Sequence, residues 1–392
     1  MKWPTSTIGA VCEVVSGATP KTGNPSFWDG DIHWVTPKDL SVLQQKLLED
    51  TPRKITKKGL QSCSARILPP QSVLFSSRAP IGLVAINSIP VCTNQGFKSM
   101  VPRVDLLSAD YLFWWLKTHR EDIERLGRGA TFKEVSKKIV EDITFPLPPL
   151  GEQKRIAAIL DAADALRAKR RETLAQLDTL LQSTFLDMFG DPVTNPKGWA
   201  FKELAELVKA GTIVTYGIVQ AGEEYPEGIP YIRTGDIANG VIKMEGLRHT
   251  DPEIAAKFER SRVRTGEIVI SIRATVGTTA LVPPELDGSN LTQGTARISP
   301  GENTASLFLL HFIRTKGCQG WINKQIKGAT FREITLKRLR QMPVFVPPLP
   351  LQRRFAAIVE SVEQQKTRLR AHLAELDTLF ASLQDRAFKG AL

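Results

Sequence analysis

The chain repeats itself. Gly129-Ala130-Thr131-Phe132 returns as Gly328-Ala329-Thr330-Phe331, and Pro148-Pro149-Leu150 returns as Pro347-Pro348-Leu349. Leu177-Asp178-Thr179-Leu180 returns as Leu376-Asp377-Thr378-Leu379. All three pairs lie 199 residues apart in a chain of 392. The chain is therefore two copies of one module, each close to half its length. Solenoid units run about 20–50 residues, so this is not a solenoid. Each copy is long enough to bury its own core. Two related modules present two related surfaces, which suits a target split into two parts.

The repeat reaches beyond the identical tetrapeptides. Trp34-Val35-Thr36 aligns with Tyr231-Ile232-Arg233, each a β-favouring run closed by turn residues. Val73 to Gly82 aligns with Ile268 to Gly277: a buried strand, an arginine at its end, a turn and a second strand. Cys92 to Gly96 aligns with Asn290 to Gly294. A helical stretch then runs from Asp110 to Leu126, with its counterpart from Leu307 to Ile322. In the first copy a polar short helix over Lys133 to Lys138 and a strand over Ile139 to Phe145 follow. Each globular part reads as mixed α and β.

Two long helices complete the pattern. From Glu152 the apolar stripe runs Ile156, Leu160, Ala163, Leu174, Leu177, Leu181 and Met188, interrupted by Arg167 and Arg170. From Gln352 it runs Phe355, Val359, Val362, Leu369, Leu373, Leu376, Phe380, Leu383 and Ala387, with Lys366 its lone charged member. Steps of three and four make a heptad-like seam. Pro149 and Pro348 precede the helices, and Gly190 and Gly390 follow them as C-caps. A helix over 152–188 is roughly 55 Å long at about 1.5 Å per residue. An amphipathic helix of that length needs company. The two stripes can cover each other, and an antiparallel pairing would give one chain approximate two-fold symmetry. The expected fold class is α+β: two mixed α/β domains separated by two long helices that form an intramolecular antiparallel coiled coil. The expected boundaries are 1–150, 151–190, 191–349 and 350–392. The alternative is that each helix packs only on its own domain.

The net charge of +11 sits mostly in the globular parts. Residues 1–150 carry 19 Lys/Arg against 14 Asp/Glu and residues 191–349 carry 20 against 16, while 151–190 is balanced at six each. That distribution suits a polyanion met by the globular parts, although a mild excess also occurs in proteins with no nucleic-acid role. Met1-Lys2-Trp3-Pro4 opens no apolar run, so no signal peptide is expected, and no stretch is long enough for a membrane span. Cys12, Cys63, Cys92 and Cys318 form no Cys-x-x-Cys pair and read as reduced thiols, which makes the cytoplasm the simplest compartment. Catalytic signatures are missing. There is no Walker loop, no dinucleotide fingerprint and no nucleophile elbow. The five histidines have no ligand-spaced partners, and Asp29 and Asp31 around Gly30 read as turn-capping residues, so no metal site is expected. The Asn/Asp-Pro-Pro-aromatic run that an adenine methyltransferase needs to hold a flipped base is absent.

At the residues quoted above, the chain resembles the specificity subunit of a type I restriction–modification system, over nearly its whole length. The marks are Gly17-Ala18-Thr19-Pro20 with Trp34-Val35-Thr36-Pro37, Gln95-Gly96, Gly129 to Phe132 leading to Pro148-Pro149-Leu150 and Glu152-Gln153, Phe185 through Gly190-Asp191-Pro192, and Ala387-Phe388-Lys389-Gly390. Each is weak alone, and their order, given twice, is specific. The second copy departs at its front, where Gly17-Ala18-Thr19-Pro20 has no clean match after Lys209-Ala210-Gly211. The resemblance implies two target-recognition domains, each reading one half of a bipartite double-stranded DNA sequence with a gap of fixed length. It implies a non-catalytic chain without a cofactor of its own. Two methyltransferase subunits would bind it and supply S-adenosylmethionine. In systems that cut, two restriction/translocase subunits using ATP and Mg would join.

The residues suited to such reading are Arg, Lys, Gln or Asn at the tips of rigid elements. Arg78 and Arg273 end apolar strands, Gln95 and Gln293 each precede a glycine, Lys38 and Arg233 follow the Trp/Tyr strand, and Lys133 and Arg332 follow the repeated Gly-Ala-Thr-Phe. Each has a structural alternative: an ion pair for the arginines, a tied loop for the glutamines. The repeated tetrapeptide suits a shared structural or partner contact better than the reading of unlike bases. The rival functions are a stand-alone bipartite DNA-binding protein without a methyltransferase partner, a catalytic methyltransferase, and a non-DNA scaffold.

Overall fold

The computed structural model describes residues 3–129, 133–238, 240–328 and 332–392. Ala130-Thr131-Phe132 and Ala329-Thr330-Phe331, the greater part of the repeated tetrapeptide, lie outside the described residues. The chain forms two compact units. One comprises Met1–Arg171 with His372–Leu392, and the other comprises Glu172–Ala371. Each unit thus contains one globular part and a segment of both long helices.

In the first unit a five-stranded sheet has the order Cys12–Ser16, Lys98–Pro102, Val73–Phe75, Val84–Asn87 and Leu47–Leu48. A three-stranded sheet has the order Lys54–Ile55, Trp28–Val35 and Val91–Thr93. The second unit reproduces this plan. Thr215–Tyr216, Thr295–Ile298, Ile268–Ser271 and Thr279–Leu281 make the larger sheet, and Arg248–Thr250, Ile229–Ile232 and Asn290–Leu291 the smaller. The smaller sheets share one mixed register: Trp34 pairs in parallel with Cys92, and Tyr231 with Asn290. The strands Val73–Phe75 and Ile268–Ser271 are buried along their whole length, as the uninterrupted apolar runs require.

The helical stretch that follows the Gln-Gly pair is broken in both copies. His119 leaves helical geometry (ψ 21°), ending Ala109–Thr118 before Arg120–Arg125 begins. Thr315 is extended (ψ 149°), and its hydroxyl accepts from the Cys318 amide at 3.2 Å to cap Lys316–Gln325. Apolar periodicity carries through both breaks, which is why the sequence reads as one helix. The short polar helix lies at Lys137–Asp142, later than 133–138, because the Ser136 hydroxyl caps it from the Ile139 amide at 3.2 Å. The strand that follows is only Thr144–Pro146.

The long helices are Leu150–Phe189 and Leu349–Lys389. A fully buried glutamine roots each on its globular part. The Ser108 amide donates to Gln153 Oε1 (2.9 Å), while Gln153 Nε2 donates to the carbonyls of Leu106 (2.9 Å) and Pro148 (2.8 Å). Gln352, 199 residues later, repeats this with the Ala305 amide and the Pro347 carbonyl. Within the first unit the helical segments run antiparallel: Arg155 reaches the Leu392 carbonyl (3.1 Å) and Arg167 reaches Asp377 (2.6 Å). Within the second unit, Asp178 meets Lys366 (2.7 Å), and the Phe185 and Phe355 rings lie 5.4 Å apart. Numbers rising on one helix meet numbers falling on the other.

The stripe residues divide between the cores. Ile156, Leu160 and Phe380 are buried in the first unit, and Leu181, Phe355 and Val359 in the second. Leu174, Leu177, Leu369, Leu373 and Leu376 are half-buried. Leu379 in the first unit and Leu180 in the second are about half exposed, at 52% and 48%.

Candidate nucleic-acid interface

Arg78 leaves the end of a buried strand, and Ala79 after it is held at φ 47°. Arg273 and Ala274 (φ 56°) repeat this. A side-chain-bearing residue in the left-handed region costs about 1–3 kcal/mol, so the turn is fixed by its surroundings. That fixes the direction in which each arginine departs.

Each arginine meets a glutamate of a repeated hairpin, formed by antiparallel pairing of Arg128 with Glu134 and of Lys327 with Glu333. Arg78 Nη1 stands 3.8 Å from Glu134 Oε2, and buried Lys98 holds the other carboxylate oxygen at 3.1 Å. Arg273 Nε donates to Glu333 Oε2 at 3.1 Å. Backbone pairing reinforces the lock. The Val135 amide donates to the Ser77 carbonyl, and the Ile334 amide to the Ile272 carbonyl, both at 3.0 Å. The structural alternative raised for the arginines is thus realised, yet Arg78 and Arg273 keep 36% and 42% of their side chains exposed.

The Gln-Gly turn packs beside the arginine. A Cβ on Gly96 would lie 3.6 Å from Arg78 Cγ and 3.2 Å from Pro37, the residue before Lys38. A Cβ on Gly294 would lie 3.9 Å from Arg273 Cβ and 2.9 Å from Thr234, the residue after Arg233. So each unit gathers a strand-end arginine, a Gln-Gly turn, a post-strand turn and a hairpin into one region. Gln95 is exposed and accepts from the Thr19 hydroxyl. Gln293 is half-buried, and its amide donates to the Ile218 carbonyl at 2.9 Å. Lys38 is exposed on Pro37–Val42, whose start is a Thr36–Asp39 capping box. Arg233 occupies the place of Thr36 and is gripped by Asp236 through Nε (2.9 Å) and Nη2 (2.7 Å). That hydrogen bonding raises the Arg233 pKa further and commits the side chain to its own turn. Lys133 is exposed, and Arg332 is exposed with one bond to Asn323 at 3.3 Å.

Sequence alignment missed one correspondence. The Ala18 amide donates to the Thr93 carbonyl at 2.9 Å, and the Ile218 amide to the Leu291 carbonyl at 2.6 Å. With Thr93 matched to Leu291, Gly17 therefore matches Gly217, not a residue near Gly211. A Cβ at Gly17 would lie 1.9 Å from the Asn94 carbonyl oxygen, and one at Gly217 1.9 Å from that of Leu291. Only glycine permits this approach. Around this shared point the surfaces differ. Thr19 and Pro20 follow Gly17, whereas exposed Tyr216, Val219 and Gln220 surround Gly217.

Other chemistry is weak. Burial pushes the Cys12, Cys92 and Cys318 thiols up to about 12, which leaves them unreactive. Among the described residues no three His, Cys, Asp or Glu side chains converge as a metal site. No helix is long and apolar enough to cross a membrane among the described residues.

Comparison with known proteins agrees with this organisation. The model of the type I restriction modification DNA specificity domain matches twice, at residues 1–177 and 196–376. The type I restriction enzyme MjaIX specificity subunit of Methanocaldococcus jannaschii is 28% identical over 91% of this chain and 86% of its own. The EcoBI specificity subunit of Escherichia coli is 26% identical over 78% and 70%. Two solved structures share the fold. One comes from work on complex assembly and conformational transition of the type I R-M system, with TM-score 0.59 and 20% identity over 100% of this chain and 98% of that one. The other is the S subunit of the type I system from M. genitalium, with TM-score 0.58 and 18% identity over 99% and 96%. The chain belongs to the type I restriction–modification DNA specificity family. Its role is sequence-specific DNA recognition, without catalysis of its own.

Proposed function

We propose that each unit reads one half of a bipartite duplex target, and that the chain positions two adenine methyltransferase subunits on it. The observation that carries this reading is the combination of a shared scaffold with unlike surfaces. The Arg78–Glu134 and Arg273–Glu333 locks, the Gln-Gly turns and the glycine contacts recur, while the residues beside Gly17 and Gly217 do not. Base reading needs side chains fixed by a rigid frame, and different half-targets need different side chains on it. The methyltransferase subunits would bind the chain and supply S-adenosylmethionine. ATP- and Mg-dependent restriction/translocase subunits would join the same assembly where the system cuts. This work belongs in the cytoplasm, where the DNA is.

Methylome sequencing of cells carrying the chain with its methyltransferase tests the reading. The expected result is adenine methylation at a two-part motif with a fixed gap, lost when the chain is deleted. A contiguous motif, or methylation independent of the chain, would overturn it. A stand-alone DNA-binding protein would leave the methylome unchanged and still select a two-part duplex from a random pool.

A further inference from the structure

The repeated hairpins carry a chemical pattern that base reading does not explain. In the first unit Arg128 and Glu134 exchange both backbone hydrogen bonds at 3.0 Å, and Lys327 and Glu333 do so in the second at 2.9 and 3.1 Å. Each hairpin has one cation on each arm: Arg128 with Lys133, and Lys327 with Arg332. Between the copies the charge is kept and the side chain is exchanged, Arg for Lys on one arm and Lys for Arg on the other. Arginine and lysine can each contact a guanine edge, but their donor geometries differ, and one does not stand in for the other at a bidentate site. A phosphate oxygen accepts from either. The hairpin's own acid does not cancel these cations. Glu134 is turned to Arg78 and Lys98, and Glu333 to Arg273. All four cations are exposed, and among the described residues none of them pairs with a carboxylate. The tetrapeptide they flank is identical in the two copies, so it cannot distinguish two unlike half-targets.

We infer that Arg128/Lys133 and Lys327/Arg332 form two sequence-blind phosphate clamps, one in each unit, that hold the duplex backbone while other residues read bases. The inference rests on the reading of this chain as a bipartite DNA recogniser and adds the division of labour. The Arg–Glu lock becomes the joint between the functions, because it ties the clamp hairpin to the strand end that presents Arg78 or Arg273.

The test uses the full chain assembled with its methyltransferase subunits and two probes: a duplex carrying the motif from the methylome and a random-sequence duplex. The fourfold variant R128Q/K133Q/K327Q/R332Q is compared with the parent and with the exchange variant R128K/K133R/K327R/R332K. The fourfold variant should weaken both duplexes by the same factor. It should flatten the dependence of log affinity on log salt by about 0.9 for each cation that meets a phosphate. The exchange variant should match the parent, and the methylated motif should stay the same in all three. Loss confined to the motif duplex, or a changed motif, would make these residues readers and overturn the clamp. Unchanged affinity and salt slope would overturn it too. A parent that does not prefer its motif over the random duplex would instead sink the recognition reading itself.

Discussion

Lys366 keeps only 5% of its surface exposed, and its ammonium lies 2.7 Å from Asp178 on the other long helix. Arg167 and Asp377 stand 199 residues before and after these partners, and they meet at 2.6 Å in the first unit. The residue that donates in one copy thus pairs with the residue that accepts in the other. Each unit holds its own version of the same ion pair between the two long helices. Glu363 and Asp164 give each cation a second carboxylate on its own helix. Removing Asp178 leaves a largely buried ammonium less compensated, which costs about 1–3 kcal/mol. Replacing the lysine by an apolar chain of similar length removes the charge and fills its space. Asp178→Ala should therefore lower the denaturant midpoint of the second unit, while Lys366→Met should leave it near the parent value. The order of the two midpoints is the measurement, and the reverse order would show that the pair does not set the pairing of the helices.

Gln153 and Gln352 root the long helices, and neither side chain reaches solvent. Truncation of Gln153 strands the Ser108 amide and the Leu106 and Pro148 carbonyls. Buried groups left without partners cost about 1–3 kcal/mol each. Gln153→Ala should destabilise the first unit by at least about 2 kcal/mol, and Gln352→Ala the second. Hydrogen exchange resolved by segment should show the loss confined to the mutated unit.

His311 lies against Phe355 with ring centroids 5.3 Å apart. Burial lowers its pKa from 6.5 to about 3, helped by Arg314 and Lys366 and opposed by Asp178. In the folded chain it is neutral near pH 5, whereas unfolded it would bind a proton. Between about pH 6.5 and 3 the unfolded state therefore holds more protons at this site, and stability falls as pH falls through that window. Above it the site contributes no slope. His311→Met should flatten the pH dependence of the second unit's unfolding midpoint in that range, and an unchanged slope would locate it elsewhere.

Much of the architecture was legible because duplication supplies an internal comparison. The strand Val73–Phe75 and its copy Ile268–Ser271 announce themselves by unbroken apolar runs, and the helices by their stripes. The breaks at His119 and Thr315 were not legible, since they change the backbone without changing apolar spacing. The candidate interface was half legible. Arg78 and Arg273 stood out at strand ends, yet their partners Glu134 and Glu333 come from 56 and 60 residues further on, beyond the reach of any local pattern. The match of Gly17 to Gly217 was hidden because the intervening loops differ in length, so the shared offset of 199 fails there.

The Arg–Glu locks leave part of each arginine side chain exposed, so anchoring and reading are compatible in one residue. Arg78→Ala should weaken discrimination in one half-target and Arg273→Ala in the other, by roughly 1–3 kcal/mol each. Glu333→Gln keeps the shape but weakens the grip on Arg273, and should affect the same half-target as Arg273→Ala, to a smaller extent. Binding to duplexes substituted at each motif position measures this. Equal effects of Arg78→Ala on both halves would show that the residue serves the scaffold alone.

Gly17 and Gly217 offer the sharpest separation of the two units, since both lie against a backbone carbonyl that a single methyl group would strike. The Cβ of Gly17→Ala would sit 1.9 Å from the Asn94 carbonyl oxygen, in the turn that carries Gln95. No side chain can rotate to relieve this contact, so the Asn94–Gly96 turn must shift. Overpacking of this kind costs about 1–3 kcal/mol, or more where backbone must move. The turn packs beside Arg78, so its displacement carries to the strand end as well. Gly17→Ala should blur one half of the methylated motif and leave the other half and the gap intact. Gly217→Ala should do the converse through Leu291, Thr292 and Gln293. Methylome sequencing of both variants reads the two halves and the gap together. Loss of the same half-target in both, or of neither, would show that these glycines do not shape separate reading surfaces.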